Sequence, residues 1–182
     1  MFTGLVKDLG RVERIGGGGI YIKTSLEGIE EGDSVMVDGV CLTASEVKPG
    51  RLRMDVGTET LRITSLGRLR AGSMVNLEDS LTLSSKLGGH IVYGHVMEVG
   101  RIISRRQIKN TTILRIRAPR TFTEKLLTKG SVSVSGVSLT VNRVEKDFFE
   151  VGLIPETLER TNLKSVRVVN LEADMLTISG KG

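Results

Sequence analysis

The chain has 182 residues, 26 Lys and Arg against 21 Asp and Glu for a formal charge of +5, and a mean hydropathy of +0.02. No run approaches the ~18 apolar residues a membrane span needs, and Met1-Phe2-Thr3-Gly4 places no basic stretch ahead of an apolar one, so neither a membrane protein nor a secreted one is expected. The one cysteine, Cys41, can form no intrachain disulfide and, with only two histidines, no thiolate metal centre, which fits a reducing cytoplasm and no bound metal.

Strand signals come first along the chain. Gly19–Thr24, Ser34–Val37, Val40–Ala44, Arg51–Val56 and Met74–Glu78 are short, alternating and rich in β-branched residues. Gly16–Gly19 and Lys48-Pro49-Gly50 are tight connections of the hairpin kind. Helical patterns are few: Glu59–Leu66, then Thr121–Lys129, then Glu156–Leu163 directly after Pro155, a residue that suits a first helical turn. Ser80–Gly89 reads as a linker. About six short strands fall in each half, and a small closed or Greek-key β-barrel is the arrangement that removes their exposed edges.

The two halves repeat each other. Gly39-Val-Cys-Leu-Thr43 recurs as Gly136-Val-Ser-Leu-Thr140, 97 residues on, and the same offset relates Glu59-Thr60-Leu61 to Glu156-Thr157-Leu158. Val75-Asn-Leu-Glu78 recurs as Val169-Asn-Leu-Glu172, and Leu9-Gly-Arg11 as Val99-Gly-Arg101. A period of this length is too long for a solenoid unit and suits a duplicated domain. Residues 1–89 and 90–182 are therefore expected to be two homologous barrels. A duplication kept only for its core would hold the apolar alternation and let polar residues drift. Here Thr43 and Thr140, and Thr60 and Thr157 beside Glu59 and Glu156, persist in both copies, which points to two similar pockets that hydrogen-bond a polar ligand.

The basic residues Arg101–Lys109, with Arg115, Arg117 and Arg120, alternate with apolar ones as a two-faced strand does, and two Tyr, four Phe and no Trp give no base-stacking platform. Nucleic-acid binding is not expected. Where the copies differ, Cys41 faces Ser138 and Leu5 faces His95. His90 and His95, five apart in an extended segment, point to opposite faces, which argues against a shared metal and for an acid or base role for one of them.

Met1–Gly4, Gly39–Thr43, Glu59–Gly67, Gly88–Val96, Gly136–Thr140 and Ile154–Leu163, in that order, resemble the riboflavin synthase α-subunit family over residues 1 to about 175. The resemblance implies an all-β chain of two tandem six-stranded Greek-key barrels. It implies a cofactor-free dismutation of two 6,7-dimethyl-8-ribityllumazine molecules, in which one gives a four-carbon unit to the other to form riboflavin and 5-amino-6-ribitylaminouracil. It implies an N-barrel pocket of Gly4, Leu5, Val6, Cys41, Leu42, Thr43, Asp55, Val56, Gly57, Thr58, Glu59 and Thr60. The C-barrel pocket would hold Gly94, His95, Val96, Lys129, Ser138, Leu139, Thr140, Gly152, Leu153, Ile154, Pro155, Glu156 and Thr157. Acid/base duty would fall near His95, with Ser34, Cys41 and Asp174 near the reacting ring and His90 of less weight. The site would lie between subunits of a homotrimer, with association with lumazine synthase a further expectation. Family members continue into a C-terminal helix that bundles three subunits, whereas this sequence ends at Gly182; dilution is therefore expected to dissociate it more readily than a helix-bearing relative. The other reading is a non-catalytic lumazine- or flavin-binding protein of the same fold, and the retained Thr43, Thr60, His95, Ser138 and Thr140 favour the enzyme.

Overall fold

The computed structural model describes residues 1–179, apart from the side chains of Thr177 and Ser179; Gly180–Gly182 of the expected second domain lie outside the described residues. Six strands, β1 (Asp8–Gly16), β2 (Gly19–Lys23), β3 (Ser34–Val37), β4 (Val40–Lys48), β5 (Arg51–Asp55) and β6 (Met74–Asp79), close one antiparallel barrel in the order β1-β2-β5-β4-β3-β6. β7 (Glu98–Ile108), β8 (Thr111–Arg117), β9 (Ser131–Val134), β10 (Val137–Val144), β11 (Phe148–Leu153) and β12 (Val168–Ala173) close a second barrel in the equivalent order. The β3–β4 hairpin turns at Asp38-Gly39 and the β9–β10 hairpin at Ser135-Gly136, each with both residues at positive φ, the mirror-image turn that matches strand twist.

Alternation places one residue of each pair inside. On β4, Val40, Leu42 and Ala44 are buried while Cys41 is half-buried and Thr43 exposed; β10 repeats this with Leu139 inside and Thr140 outside. The inward rows build two separate cores, one around Ile20, Ile22, Met54 and Leu77, the other around Leu114, Ile116, Phe149 and Leu171. The helices expected after β5 and β11 form as α1 (Thr58–Ile63) and α3 (Pro155–Arg160), each running into a 3-10 turn, Ser65–Arg68 and Asn162–Lys164. Thr121–Lys129 is not one helix: α2 spans only Arg120–Thr123. The chain cannot continue helically because Lys129 adopts φ 71°, and its N–H and that of Gly130 are spent on Val141 O and Leu127 O. A last helix, α4 (Met175–Ser179), follows β12.

The seam between the barrels is polar. Asn76 of β6 donates to Ser135 O and Asn162 Oδ1, Asn162 donates to Asp38 Oδ1 and Met74 O, and Asn170 of β12 donates to Asp38 O and accepts from Ser65 N–H. The repeated Val-Asn-Leu-Glu motif thus puts an asparagine from each barrel into the joint. Asp38, the first residue of the β3–β4 turn, is only 4% exposed there.

Candidate functional site

Two extended segments, 2–6 and 92–96, precede the barrels and run between them, joined by the Phe2–Val92 bridge. Each is anchored to a glutamate of the barrel it leads into. Glu78 Oε1 accepts from Thr3 N–H (2.7 Å) and Thr3 Oγ1 (2.6 Å), and Oε2 from Gly4 N–H (3.0 Å). Glu172 Oε1 accepts from Tyr93 N–H (2.7 Å), and Oε2 from Gly94 N–H (2.9 Å) and His95 N–H (3.0 Å). Burial raises both carboxyls above the ordinary glutamate range, although these bonds pull the other way.

The far side of each segment docks on the other barrel. Ser138 N–H donates to Gly4 O (2.8 Å) and Cys41 N–H to Gly94 O (3.0 Å). Val6 packs against the second core and Val96 against the first. Both glycines have positive φ, and a Cβ on either would lie 2.6 Å from the Cβ of Ser138 or Cys41; no other residue fits that approach. The grouping expected from sequence is corrected accordingly. Gly4, Leu5 and Val6 belong beside Ser138, and Gly94, His95 and Val96 beside Cys41. Repeat arithmetic assigns each segment to the half it opens and cannot see that the segments cross.

The first site then assembles on the outer face of β4. Cross-strand register places Thr43 opposite Ser34 on one side and Asp55 on the other. Leu42 and Val56, named as ligand residues, point into the core at 6% exposure each, so only their backbone can serve a ligand. Asp55 Oδ1 accepts from Ser45 Oγ (2.9 Å) and pairs with Arg53 (2.9 Å). Gly57 caps α1, whose Thr58 and Glu59 are exposed and Thr60 half-buried; Glu59 is paired with Arg62 at 2.6 Å. A groove of about 600 Å³ lies between Leu61–Thr64 and Val96–Val99, confirming that the second leading segment passes the first barrel's helix.

The second site repeats this on β10. Thr140 pairs with Ser131, Leu139 and Leu153 point inward at 7% and 1% exposure, and Gly152, Ile154, Pro155, Glu156 and Thr157 lead from β11 into α3. Lys129 is exposed on the turn that bonds to β10. Asp174 sits half-buried at the end of β12.

The histidines divide between the sites. His95 is exposed, next to Gly94 and stacked near Tyr93 at 6.1 Å. His90, expected to be of less weight, is 9% exposed, and its Nδ1 lies 2.6 Å from Ser138 Oγ. Burial lowers its pKa and the Asp174 carboxylate opposes that shift. His90, bonded to Ser138, thus joins the second candidate site. Reading parity along the segment separates the two rings but not which barrel each one meets. His95→Gln is expected to lower turnover by about 100-fold or less, and His90→Gln by about 10-fold through release of Ser138; a His90 variant with unchanged turnover and unchanged pH profile would remove it from the site. Among the described residues, no group of three or more His, Cys, Asp or Glu side chains is placed to hold a metal, and no helix is long and apolar enough to cross a membrane.

The lumazine binding domain family matches twice, over residues 3–80 and 93–174. Riboflavin synthase of Mycobacterium bovis is 42% identical, covering 97% of this chain and 94% of that one. The Chlamydia pneumoniae enzyme is 40% identical over 97% and 92%, and that of Bacillus subtilis 35% over 97% and 86%. Among solved structures, LumP complexed with riboflavin superposes with a TM-score of 0.83 at 23% identity, covering 95% of this chain and 99% of that one. LumP complexed with 6,7-dimethyl-8-(1'-D-ribityl) lumazine does so with 0.81 at 20%, over the same shares; at these identities the likeness speaks for the fold. With two family matches and near-full-length relatives far above that level, the chain belongs to the riboflavin synthase family, built from two lumazine binding domains.

Proposed function

We propose that this protein converts two molecules of 6,7-dimethyl-8-ribityllumazine into riboflavin and 5-amino-6-ribitylaminouracil, by moving a four-carbon unit from one to the other. The reaction balances without an external oxidant or reductant, because both substrates are the same molecule and the carbons one loses the other gains. One observation carries the reading: the fold presents two equivalent surfaces, each made from a β-strand of one barrel and the leading segment of the other. Cys41 and Thr43 stand with Gly94 and His95, and Ser138 and Thr140 with Gly4 and Leu5. A reaction between two copies of one substrate needs two such surfaces, and holding the copies in register supplies much of the rate. Removing a proton from the donor's reactive methyl group falls to His95 on the first surface or to the Ser138–His90 pair, beside Asp174, on the second.

The surfaces are open in a single chain. Thr43, Glu59, His95, Lys129, Thr140 and Glu156 are all exposed, and so are the apolar Leu5, Ile63, Ile154, Met175 and Leu176. Exposed apolar side chains around polar ligand groups fit a site closed by another subunit; in the homotrimer that the family resemblance implies, the first surface of one chain meets the second surface of a neighbour. Incubating the purified protein with 6,7-dimethyl-8-ribityllumazine alone should yield riboflavin, and specific activity should fall when dilution dissociates the oligomer, followed by sedimentation. Tight binding without turnover would select a non-catalytic binding protein; full activity in a demonstrably monomeric sample would exclude the intersubunit site.

A further inference from the structure

We infer that the cleft between the two barrels, on the face lined by Arg68 and Arg167, is a second binding site, for inorganic phosphate or a small phosphate monoester. The cleft is an open depression of about 430 Å³ lined by Asp38, Ser65, Arg68 and Ser73 from the first half and Ser165 and Arg167 from the second, a volume in the range of small-ligand sites. Arg167 also lines an adjoining cavity of about 400 Å³ with Arg101, Ser104 and Arg105. Apart from Arg68, which also borders the groove beside α1, none of these residues belongs to the riboflavin-forming surfaces.

Charge and geometry argue for an oxyanion. Among the described residues Arg68, Arg101, Arg105 and Arg167 form no salt bridge, as Arg11, Arg14, Arg70, Arg106 and Arg117 elsewhere also do not; what sets the four apart is that they gather at one cleft and the cavity adjoining it. Burial and the neighbouring Arg167 charge hold Arg105 below its ordinary range, and Arg101 stands directly opposite Arg117 across β7 and β8. Like charges kept together without a counterion cost energy that a bound anion recovers. The loop is also fixed in advance: the Arg105 guanidinium donates to Leu163 O (3.1 Å) and to Val166 O, the second being the carbonyl just before Arg167. Guanidinium forks from both barrels, with the hydroxyls of Ser65 and Ser73, match the several oxygens of a phosphate better than the two of a carboxylate; the Ser165 hydroxyl already donates to Asn162 O (3.2 Å).

Asp38 at the floor sets how the site responds to pH. Its Oδ1 accepts from Asn76 N–H and Asn162 Nδ2, and among the described residues no hydrogen bond takes its other oxygen. Burial pushes its pKa up to about 7, so near neutrality the carboxyl is half protonated and offers an O–H to an anion. Arg68, from the 3-10 turn, and Arg167, from the approach to β12, line the same cleft as Asp38; Asn76, Ser135, Asn162 and Asn170, from the other packed elements, are neutral. Anion binding therefore takes up a proton, and affinity rises as pH falls through 7.

Isothermal titration calorimetry of the full chain in phosphate-free buffer tests this, with inorganic phosphate, glycerol 3-phosphate and sulfate as probes. Saturable binding of one anion per chain is expected, weakened about 10-fold or more by Arg68→Ala and by Arg167→Ala and unchanged by Arg120→Ala. Arg167→Ala should leave riboflavin formation in that buffer unchanged. Sulfate, whose charge is constant from pH 6 to about 8, should bind more tightly at the lower value, and Asp38→Asn should flatten that dependence. Tighter binding of glycerol 3-phosphate than of phosphate identifies a phosphorylated small molecule as the ligand, and equal binding identifies free phosphate. Absence of saturable binding, or binding that both arginine variants leave intact, overturns the inference. A chain that makes riboflavin but binds no anion defeats this site alone and leaves the proposed function standing.

Discussion

Glu172→Gln is expected to lower both stability and turnover, the latter by about 100-fold or more, although Glu172 touches no substrate. Its two oxygens accept from Tyr93, Gly94 and His95 N–H. A glutamine keeps one acceptor, and its NH₂ must face a donor, so one buried N–H is stranded and the remaining bonds lose their charge. The cost is about 2–4 kcal/mol for a group 3% exposed. The 93–96 segment relaxes with it, and that segment carries His95, the carbonyl on Cys41 N–H, and the Val96 side chain in the first core. Glu78→Gln should do the same to the first segment, loosening Gly4 from Ser138. Thermal melts and turnover measured on both variants check the argument. A Glu172→Gln protein with the parent's melting temperature and rate would show that the anchors are dispensable.

Much of this was legible in the sequence, and for identifiable reasons. Period-two alternation along Val40–Thr43 and its copy at Val137–Thr140 reports one face in and one face out, which the barrel walls reproduce. The repeated Glu-Thr-Leu reports α1 and α3, because the residues that start a helix act locally. What stayed hidden depends on contacts between distant segments. Glu78 and Glu172 were visible as matched residues at strand ends, and a matched acid on an otherwise buried strand was the one signal that they were bound to something. The crossing of 2–6 and 92–96 leaves no periodic trace; a glycine at the same place in both leading segments, Gly4 and Gly94, is what hints at a close approach. Thr121–Lys129 misled because its composition suits a helix, while the bonds of Lys129 and Gly130 to Val141 and Leu127 hold the chain in a turn.

Asp38→Asn is expected to stabilise the protein at pH 8 and to change little at pH 4, the opposite of what deleting a buried charge pair would do. Asp38 lies in the seam with no cation in hydrogen-bond contact, and burial, outweighing the bonds from Asn76 and Asn162, raises its carboxyl from 3.8 to about 7. The sign follows from proton counting. In the unfolded chain the group has lost its proton by pH 5, whereas in the folded state it keeps it to about 7, so the folded form binds more protons between these values and loses stability as pH rises through them. Three units correspond to about 4 kcal/mol, a ceiling that relaxation of the seam reduces to about 2–4. Asparagine supplies the same carbonyl oxygen to Asn76 N–H and Asn162 Nδ2, and tolerates the φ of 47° as readily as aspartate, yet it carries no proton to lose. The variant's melting temperature should therefore exceed the parent's by about 5–10 °C at pH 8, with the two curves converging below pH 5. Melting curves for both proteins across pH 4–9 decide it: a parallel offset at every pH would mean that Asp38 acts through packing, and a parent that gains stability from pH 5 to 8 relative to the variant would mean that its carboxylate is stabilised in the seam rather than merely buried there.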